Sequence, residues 1–338
     1  MPSDLRLLVL GGSSFVGRAA VEAGVDRGWH VTTFNRGRSG WSHPAAARLT
    51  GDRLVEADLQ QLASGRWDVV VDTWAGAPRA AAASARLLSD RAGFYAYVSS
   101  GSVCAPPPPR GVTEAAPTVP ASPDAEGGEY PECKRGAELA VEAAFGDRSL
   151  FARAGLILGP HEDVGRLPWW LGRLAAGGEV LAPGPPELPL QLIDARDLAG
   201  WILDAAAAGR SGAYNAVSAP GHTTMGALLD ACRAVTGGAA ELTWVDEGFV
   251  EGRGIEAWSE LPIWLPERHP FRGLHEADST RAHAAELTCR PVEETVRDTW
   301  AWLRSLGETP PPLRPDLPAP GLDPAKERAA LAAWHARG

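Results

Sequence analysis

The stretch Leu8-Val9-Leu10-Gly11-Gly12-Ser13-Ser14-Phe15-Val16-Gly17 constrains the fold more than any other part of the chain. The apolar run that precedes Gly11 carries no alternation, so it reads as a strand buried on both faces. Ser13 and Ser14 stand where a helix starting near Phe15 would be capped, and Gly28 closes that helix. A second apolar run, residues 29–34, reads as the next strand. Together these form a βαβ unit of about 30 residues, the setting in which a glycine turn and a helix N-terminus hold a dinucleotide pyrophosphate. The spacing Gly-x-x-Gly-x-x-Gly is met at Gly11 and Gly17, whereas Ser14 occupies the middle place. Candidate cofactor contacts from this turn are Gly11, Ser13, Ser14, Phe15, Val16 and Gly17.

The second strand runs into Asn35-Arg36-Gly37-Arg38. A site for an unphosphorylated ribose normally places a carboxylate there; two arginines favour a 2′-phosphate, and so NADP with NAD as the alternative. Asp52 and Arg53, after a short strand at 47–50, are placed to meet the adenine. Thr73-Trp74-Ala75, after a strand at 67–73, is placed beside the nicotinamide ribose. Strands at 94–99 and 151–158 and helices at 79–90 and 132–145 continue the alternation. The fold class is therefore α/β, a Rossmann-type doubly wound parallel sheet with a smaller C-terminal substrate-binding lobe.

Ligand chemistry in such sheets sits at the carboxyl ends of the strands. The fifth strand ends in Ser99-Ser100-Gly101-Ser102, and Tyr130 and Lys134 share one face of the helix that follows. An ammonium beside a phenol favours its ionised form. Ser100, able to bond a substrate oxygen, completes a proton-transfer set suited to carbonyl/alcohol redox. Only two of the 32 basic residues are lysines, Lys134 and Lys326. Retaining Lys where Arg dominates suggests that a compact, tunable charge is needed.

A net charge of −10 argues against a phosphate-tracking nucleic-acid surface. The absence of an 18-residue apolar run argues against a membrane span. Cys104, Cys133, Cys232 and Cys289 lack metal-ligand spacing and read as free thiols, and Met1-Pro2-Ser3-Asp4 leads straight into the first strand, so a cytoplasmic protein without a metal is expected. The organisation expected is a dinucleotide-binding domain over 1–160, completed by about 188–218. A substrate lobe follows over 161–187 and 219–306, then a proline-rich connector and terminal helix over 307–338.

On these motifs, with Gly51–Arg53 and Arg153-Ala154-Gly155…Gly159-Pro160, the chain over about 5–305 resembles the extended short-chain dehydrogenase/reductases, also called the NAD-dependent epimerase/dehydratase family. It looks closest to a branch containing actinobacterial reductases and plastid RNA-binding relatives. The resemblance implies Ser100, Tyr130 and Lys134 as catalytic residues, Ser99 and Lys134 as further cofactor contacts, and a homodimer built on the helices near 79–90 and 132–145. It also implies a pocket drawing on Ser102, His161, Trp169 and Gln191, with Arg166, Trp170, Trp244, Trp258 and Trp264 nearby. Sugar dehydratases of the family carry Asp-Glu where this chain has Gly101-Ser102, so dehydration is not expected. The expected activity is an NADP(H)-dependent oxidoreductase acting on a ketone or secondary alcohol of a small metabolite, with secondary metabolism as its expected setting. The alternatives are a nucleotide-sugar epimerase with tightly bound NAD(P), or a non-catalytic nucleotide- or RNA-binding relative.

Overall fold

The computed structural model describes residues 4–337; the reading that no leader precedes the first strand rests partly on residues 1–3, outside them. The first half runs β1 (Arg6–Leu10), α1 (Phe15–Asp26), β2 (His30–Asn35), β3 (Ala47–Thr50), α2 (Glu56–Leu59), β4 (Trp67–Asp72), α3 (Pro78–Leu88), β5 (Ala92–Ser100), α4 (Tyr130–Phe145) and β6 (Ser149–Ala154). Next come β7 (Leu156–Leu158), α5 (Arg166–Ala175), β8 (Gly178–Pro183), β9 (Pro189–Leu190), β10 (Leu192–Asp194), α6 (Ala195–Ala207) and β11 (Gly212–Ala216). The chain ends with β12 (Thr223–Thr224), α7 (Met225–Val235), β13 (Ala240–Val245), α8 (Glu247–Gly252), α9 (Thr280–Ala284), α10 (Val292–Ser305) and α11 (Pro324–His335).

Seven strands form one parallel sheet in the order β11-β6-β5-β4-β1-β2-β3. The order reverses between β1 and β4, and a crevice opens at the strand ends there. Leu7, Leu8, Val9 and Leu10 are all buried because helices cover both faces. One core packs α1 and α6 against the sheet, and a second packs α3 and α4 on the opposite face. A third core belongs to the C-terminal half, where α5, α7, α10 and α11 surround the β8–β13 pair.

Two expected strands are broken where a residue is needed for another purpose. The 151–158 run splits at Gly155, whose added Cβ would lie 2.7 Å from Val217 Cγ2. Its second half, β7, leaves the main sheet to pair with β10. Residues 190–193 split at Gln191. Its side-chain amide donates to the carbonyls of Ser218 and Ala277, both at 2.9 Å, and its oxygen accepts from Ala277 N at 2.7 Å. Gln191 is fully buried, so its expected place in the substrate pocket is corrected to that of a pin between loops.

Residues 307–338 do not form a free connector. Asp323 caps α11 through the amides of Ala325 and Lys326. The helix docks by Ala330, Leu331 and a 2.7 Å ion pair from Arg173 to the buried Glu327. Among the described residues no helix is long and apolar enough to cross a membrane.

Candidate active site

The glycine turn is closed by contacts that leave no room for side chains. A Cβ on Gly11 (φ +117°) would meet Thr73 Oγ1 at 2.4 Å, and one on Gly17 would meet the Gly12 backbone nitrogen at 2.7 Å. Asn35 ties the turn to β2, donating to Gly11 O at 2.9 Å while accepting from Gly37 N. The first turn of α1 contains no acid, so its free amides face the crevice without a competing charge. Phe15 adopts a left-handed φ of 36° at the helix start. Ser14 occupies the N-cap position but makes no capping bond; its hydroxyl instead meets Asp163, so the expected serine cap is corrected.

A cavity of about 220 Å³ beside this turn is lined by Asn35, Arg36, Arg38, Asp52, Thr73 and Trp74, among others. Arg36 and Arg38 are exposed there and make no ion pair among the described residues. Asp52 turns one oxygen to Leu54 N. Arg53, expected among the cofactor contacts, also lines this cavity. Its guanidinium turns inward onto Asp72 (2.7 and 2.8 Å) and Ser84, and Tyr95 donates to the same carboxylate at 2.6 Å. Neutralised on three sides, Asp72 stays ionised despite full burial, as the Arg53 charge offsets the cost of desolvation.

The larger cavity, about 730 Å³, adjoins the first, with Ser14, Thr73 and Ala75 in both linings. Ser100, Ser102, Tyr130 and Lys134 line it together. A capping box between Glu129 and Glu132 starts α4 and places Tyr130 in its first turn. The Ser100 and Ser102 hydroxyls bond at 2.6 Å, and both serines line the cavity with Tyr130. Lys134 is buried at the foot of the site and donates 2.7 Å bonds to the carbonyls of Trp74 and Val98. Burial pushes its pKa down to about 7, with Asp72 and Glu138 pulling the other way.

Burial raises the Tyr130 hydroxyl above the usual phenol range, although 45% of the residue's surface is open through the cavity. The Ser100 hydroxyl opposes that rise first, then the charges of Arg314 and Arg166. Lys134 is held by main-chain oxygens, with its Nζ 5.9 Å from the Tyr130 ring centroid. Ser99, expected at the cofactor, points its hydroxyl at Glu138 (2.6 Å), which also takes a bidentate pair from Arg153. That buried network locks α4 to β5 and β6 and was not visible from spacing.

Two pocket expectations are corrected. His161 lies against Arg18 (3.5 Å) and the Trp302 ring (5.1 Å), outside the cavity lining; burial and Arg18 push its pKa down to about 4. Trp169 packs edge-on against Trp170 at 4.6 Å and seats Gly321, also away from the cavity. Trp170 and Trp264 are core residues. Trp258 does line the cavity, stacked under the Arg166 guanidinium at 4.7 Å. No Asp, Glu, His or Cys cluster suited to a metal occurs among the described residues.

The glycine turn, the strand-end crevice and the Ser100–Tyr130–Lys134 cluster agree with what the sequence matches: the NAD dependent epimerase/dehydratase family, over residues 7–217. The chain belongs to this family. It is therefore an NAD(P)-dependent enzyme of the extended short-chain dehydrogenase/reductase type. A search of curated proteins finds no significant match. Among solved structures, the Bordetella bronchiseptica enzyme WbmH in complex with NAD+ is 19% identical with a TM-score of 0.66, over 90% of this chain and 99% of that one. A Methanobrevibacter ruminantium UDP-N-acetylglucosamine 4-epimerase in complex with UDP-N-acetylmuramic acid is 19% identical (TM-score 0.68), with the same coverage. The Thermotoga maritima UDP-glucose 4-epimerase with UDP-glucose is 17% identical (TM-score 0.65), over 90% of this chain and 100% of that one. At these identities the likeness concerns the fold. Residue by residue, the cradle of this chain fits a dinucleotide: the Gly11 and Gly17 approaches are too tight for side chains, and the adjoining cavities hold Arg36 at one end and Tyr130 at the other.

Proposed function

We propose that this enzyme oxidises and re-reduces one hydroxyl-bearing carbon of a nucleotide-activated sugar, an epimerisation, with Ser100, Tyr130 and Lys134 as its catalytic residues. The observation that carries the reading is that Ser100, Tyr130 and Lys134 line one cavity, with Lys134 buried and its Nζ 5.9 Å from the Tyr130 ring. The dinucleotide supplies the hydride acceptor and donor. Ser100 orients the substrate oxygen, and Tyr130 takes its proton as the carbonyl forms and returns it when the hydride comes back. Lys134, whose pKa of about 7 lets it exist in both protonation states, holds the site's polarity. Gly11, Ser13, Ser14, Phe15, Val16 and Gly17 would hold the pyrophosphate, Asn35, Arg36 and Asp52 the adenosine half, and Thr73, Trp74 and Ala75 the nicotinamide ribose. The epimerases among similar folds and the unpaired, tryptophan-stacked Arg166 in the cavity support a phosphorylated sugar over a simple ketone.

One observation favours a second reading, net reduction of a ketone by NADPH. Arg36 and Arg38 stand free where a 2′-phosphate would lie, and an enzyme that draws on NADPH has more use for them than one that regenerates its cofactor. Turnover with UDP-glucose and UDP-N-acetylglucosamine separates the two. Epimerisation gives product with no lasting change at 340 nm, whereas net reduction consumes NADPH mole for mole with a keto substrate. Should neither NADH nor NADPH raise the melting temperature, both readings fail.

A further inference from the structure

The smaller cavity is tied to Lys134 through the main chain of one residue. Arg53 and Trp74 both line that cavity, the guanidinium 5.0 Å from the indole centroid. Asp72, fully buried at the end of β4, takes Arg53 on both carboxylate oxygens, at 2.7 and 2.8 Å. One of these oxygens also accepts from Trp74 N at 3.0 Å, and the other from the Tyr95 hydroxyl at 2.6 Å. The carbonyl of the same Trp74 accepts from Lys134 Nζ and from the Tyr97 hydroxyl, both at 2.7 Å. Its indole N–H donates to Ala77 O at 2.9 Å, and the Thr73 hydroxyl before it donates to Leu10 O at 3.2 Å. The N–H and C=O of Trp74 thus bridge a buried carboxylate and a buried ammonium.

We infer that Arg53 and Asp72 are positioning residues for Lys134: their ion pair fixes Trp74, and the Trp74 carbonyl fixes the ammonium. The inference rests on the reading of Lys134 as a catalytic residue. A lysine side chain loses much rotamer freedom when it is held in one place, so its acceptors must themselves be fixed. Val98, the other acceptor, lies within β5 and is paired to β6 at Ala152. Trp74 lies past the last paired residue of β4, where no ladder holds it. The Asp72 carboxylate takes over that task, and the two-pronged Arg53 guanidinium sets its orientation and offsets its burial. The charged and titratable groups around Lys134 are Asp72 on β4, Glu138 on α4, Arg53 and Arg314 from loops, and the Tyr97 and Tyr130 rings at 4.9 and 5.9 Å. Asp72 favours the ammonium and Arg53 disfavours it, so neutralising both together leaves the net charge unchanged.

The test needs neither substrate nor cofactor. It follows the Lys134 resonance in 13Cε-lysine-labelled protein, identified by its loss in Lys134→Met. Two double variants are compared: Arg53→Gln with Asp72→Asn, and Arg53→Gln with Asp72→Leu. Both carry the same charges, and neither leaves a lone buried ion. Asparagine keeps a side-chain oxygen for Trp74 N, whereas leucine, of similar size, offers none. The expected result is a near-native Lys134 resonance and titration midpoint in the first variant. In the second, the resonance is displaced and the midpoint falls by about one pH unit or more, the scale of a lost bond to a charged group. Melting curves establish that each variant is folded; where leucine is not tolerated, Asp72→Ala, which also lacks an acceptor, takes its place. A Lys134 resonance and midpoint that stay native in both folded variants, or move equally in both, overturn the inference. Failure of the catalytic reading would show elsewhere, as undiminished turnover by Lys134→Met.

Discussion

Lys134 shows most clearly what residue type and environment contribute separately. Its scarcity and its place four residues after Tyr130 mark it in the sequence. Its burial, its two carbonyl partners and its depressed pKa depend on Trp74 and Val98, which lie 60 and 36 residues away. Spacing suggested that the ammonium would stand beside the phenol; the fold also ties it to two main-chain oxygens. With only two lysines in the chain, 13Cε-lysine NMR gives a direct check. The signal lost in Lys134→Met should titrate near pH 7 in the native enzyme. A folded pKa below the unfolded 10.5 means that the charged form is disfavoured in the fold. The resulting cost to stability is full below about pH 7, shrinks as pH rises through that window and vanishes above the unfolded value. Melting temperatures between pH 7 and 9 should therefore gain in the native protein relative to Lys134→Met.

Among the elements, the βαβ unit was readable because each residue choice there has one backbone use. A run buried on both faces, a turn needing positive φ and a helix packed on its own loop leave few alternatives. Gly17→Ala should push a methyl against the Gly12 nitrogen, open the turn and abolish the rise in melting temperature on adding NADPH. A native-sized rise would show that the turn does not hold the cofactor. The breaks at Gly155 and Gln191 escaped reading because their causes, Val217 and the Ser218–Ala277 loops, are tertiary neighbours. The β8–β13 pair was hidden for the same reason: residues 178–183 acquire strand geometry only beside residues 240–245.

For the molecule as a whole, the sheet and the gathering of Ser100, Tyr130 and Lys134 at one cavity were legible, and the rest of the cavity wall was not. His161, Trp169 and Gln191 lie near the site in sequence order but face elsewhere. Asp163, Arg166 and Arg314 build the wall instead, the last from a proline-rich segment whose composition suggests only a linker. A signal existed in retrospect: an arginine and an aspartate two residues apart within an otherwise apolar, proline-rich run. At the far end of the crevice, the double change Arg36→Ala, Arg38→Ala should cost NADPH about tenfold or more in affinity and leave NADH little changed, since charge-assisted bonds to a phosphate contribute about 1.5–3 kcal/mol each. Equal loss for both cofactors would assign the arginines to the fold rather than to the 2′-phosphate.

In the proposed mechanism Tyr130, sharing its cavity with Ser100 and Lys134, moves the proton during hydride transfer. Stopped-flow absorbance at 340 nm of cofactor-loaded enzyme mixed with UDP-glucose or UDP-N-acetylglucosamine tests it most directly, comparing the native protein with Tyr130→Phe. The account predicts a nicotinamide signal in the native enzyme that slows by about 100-fold or more in the variant, the scale of a lost general base. A variant that forms the signal at the native rate would contradict it.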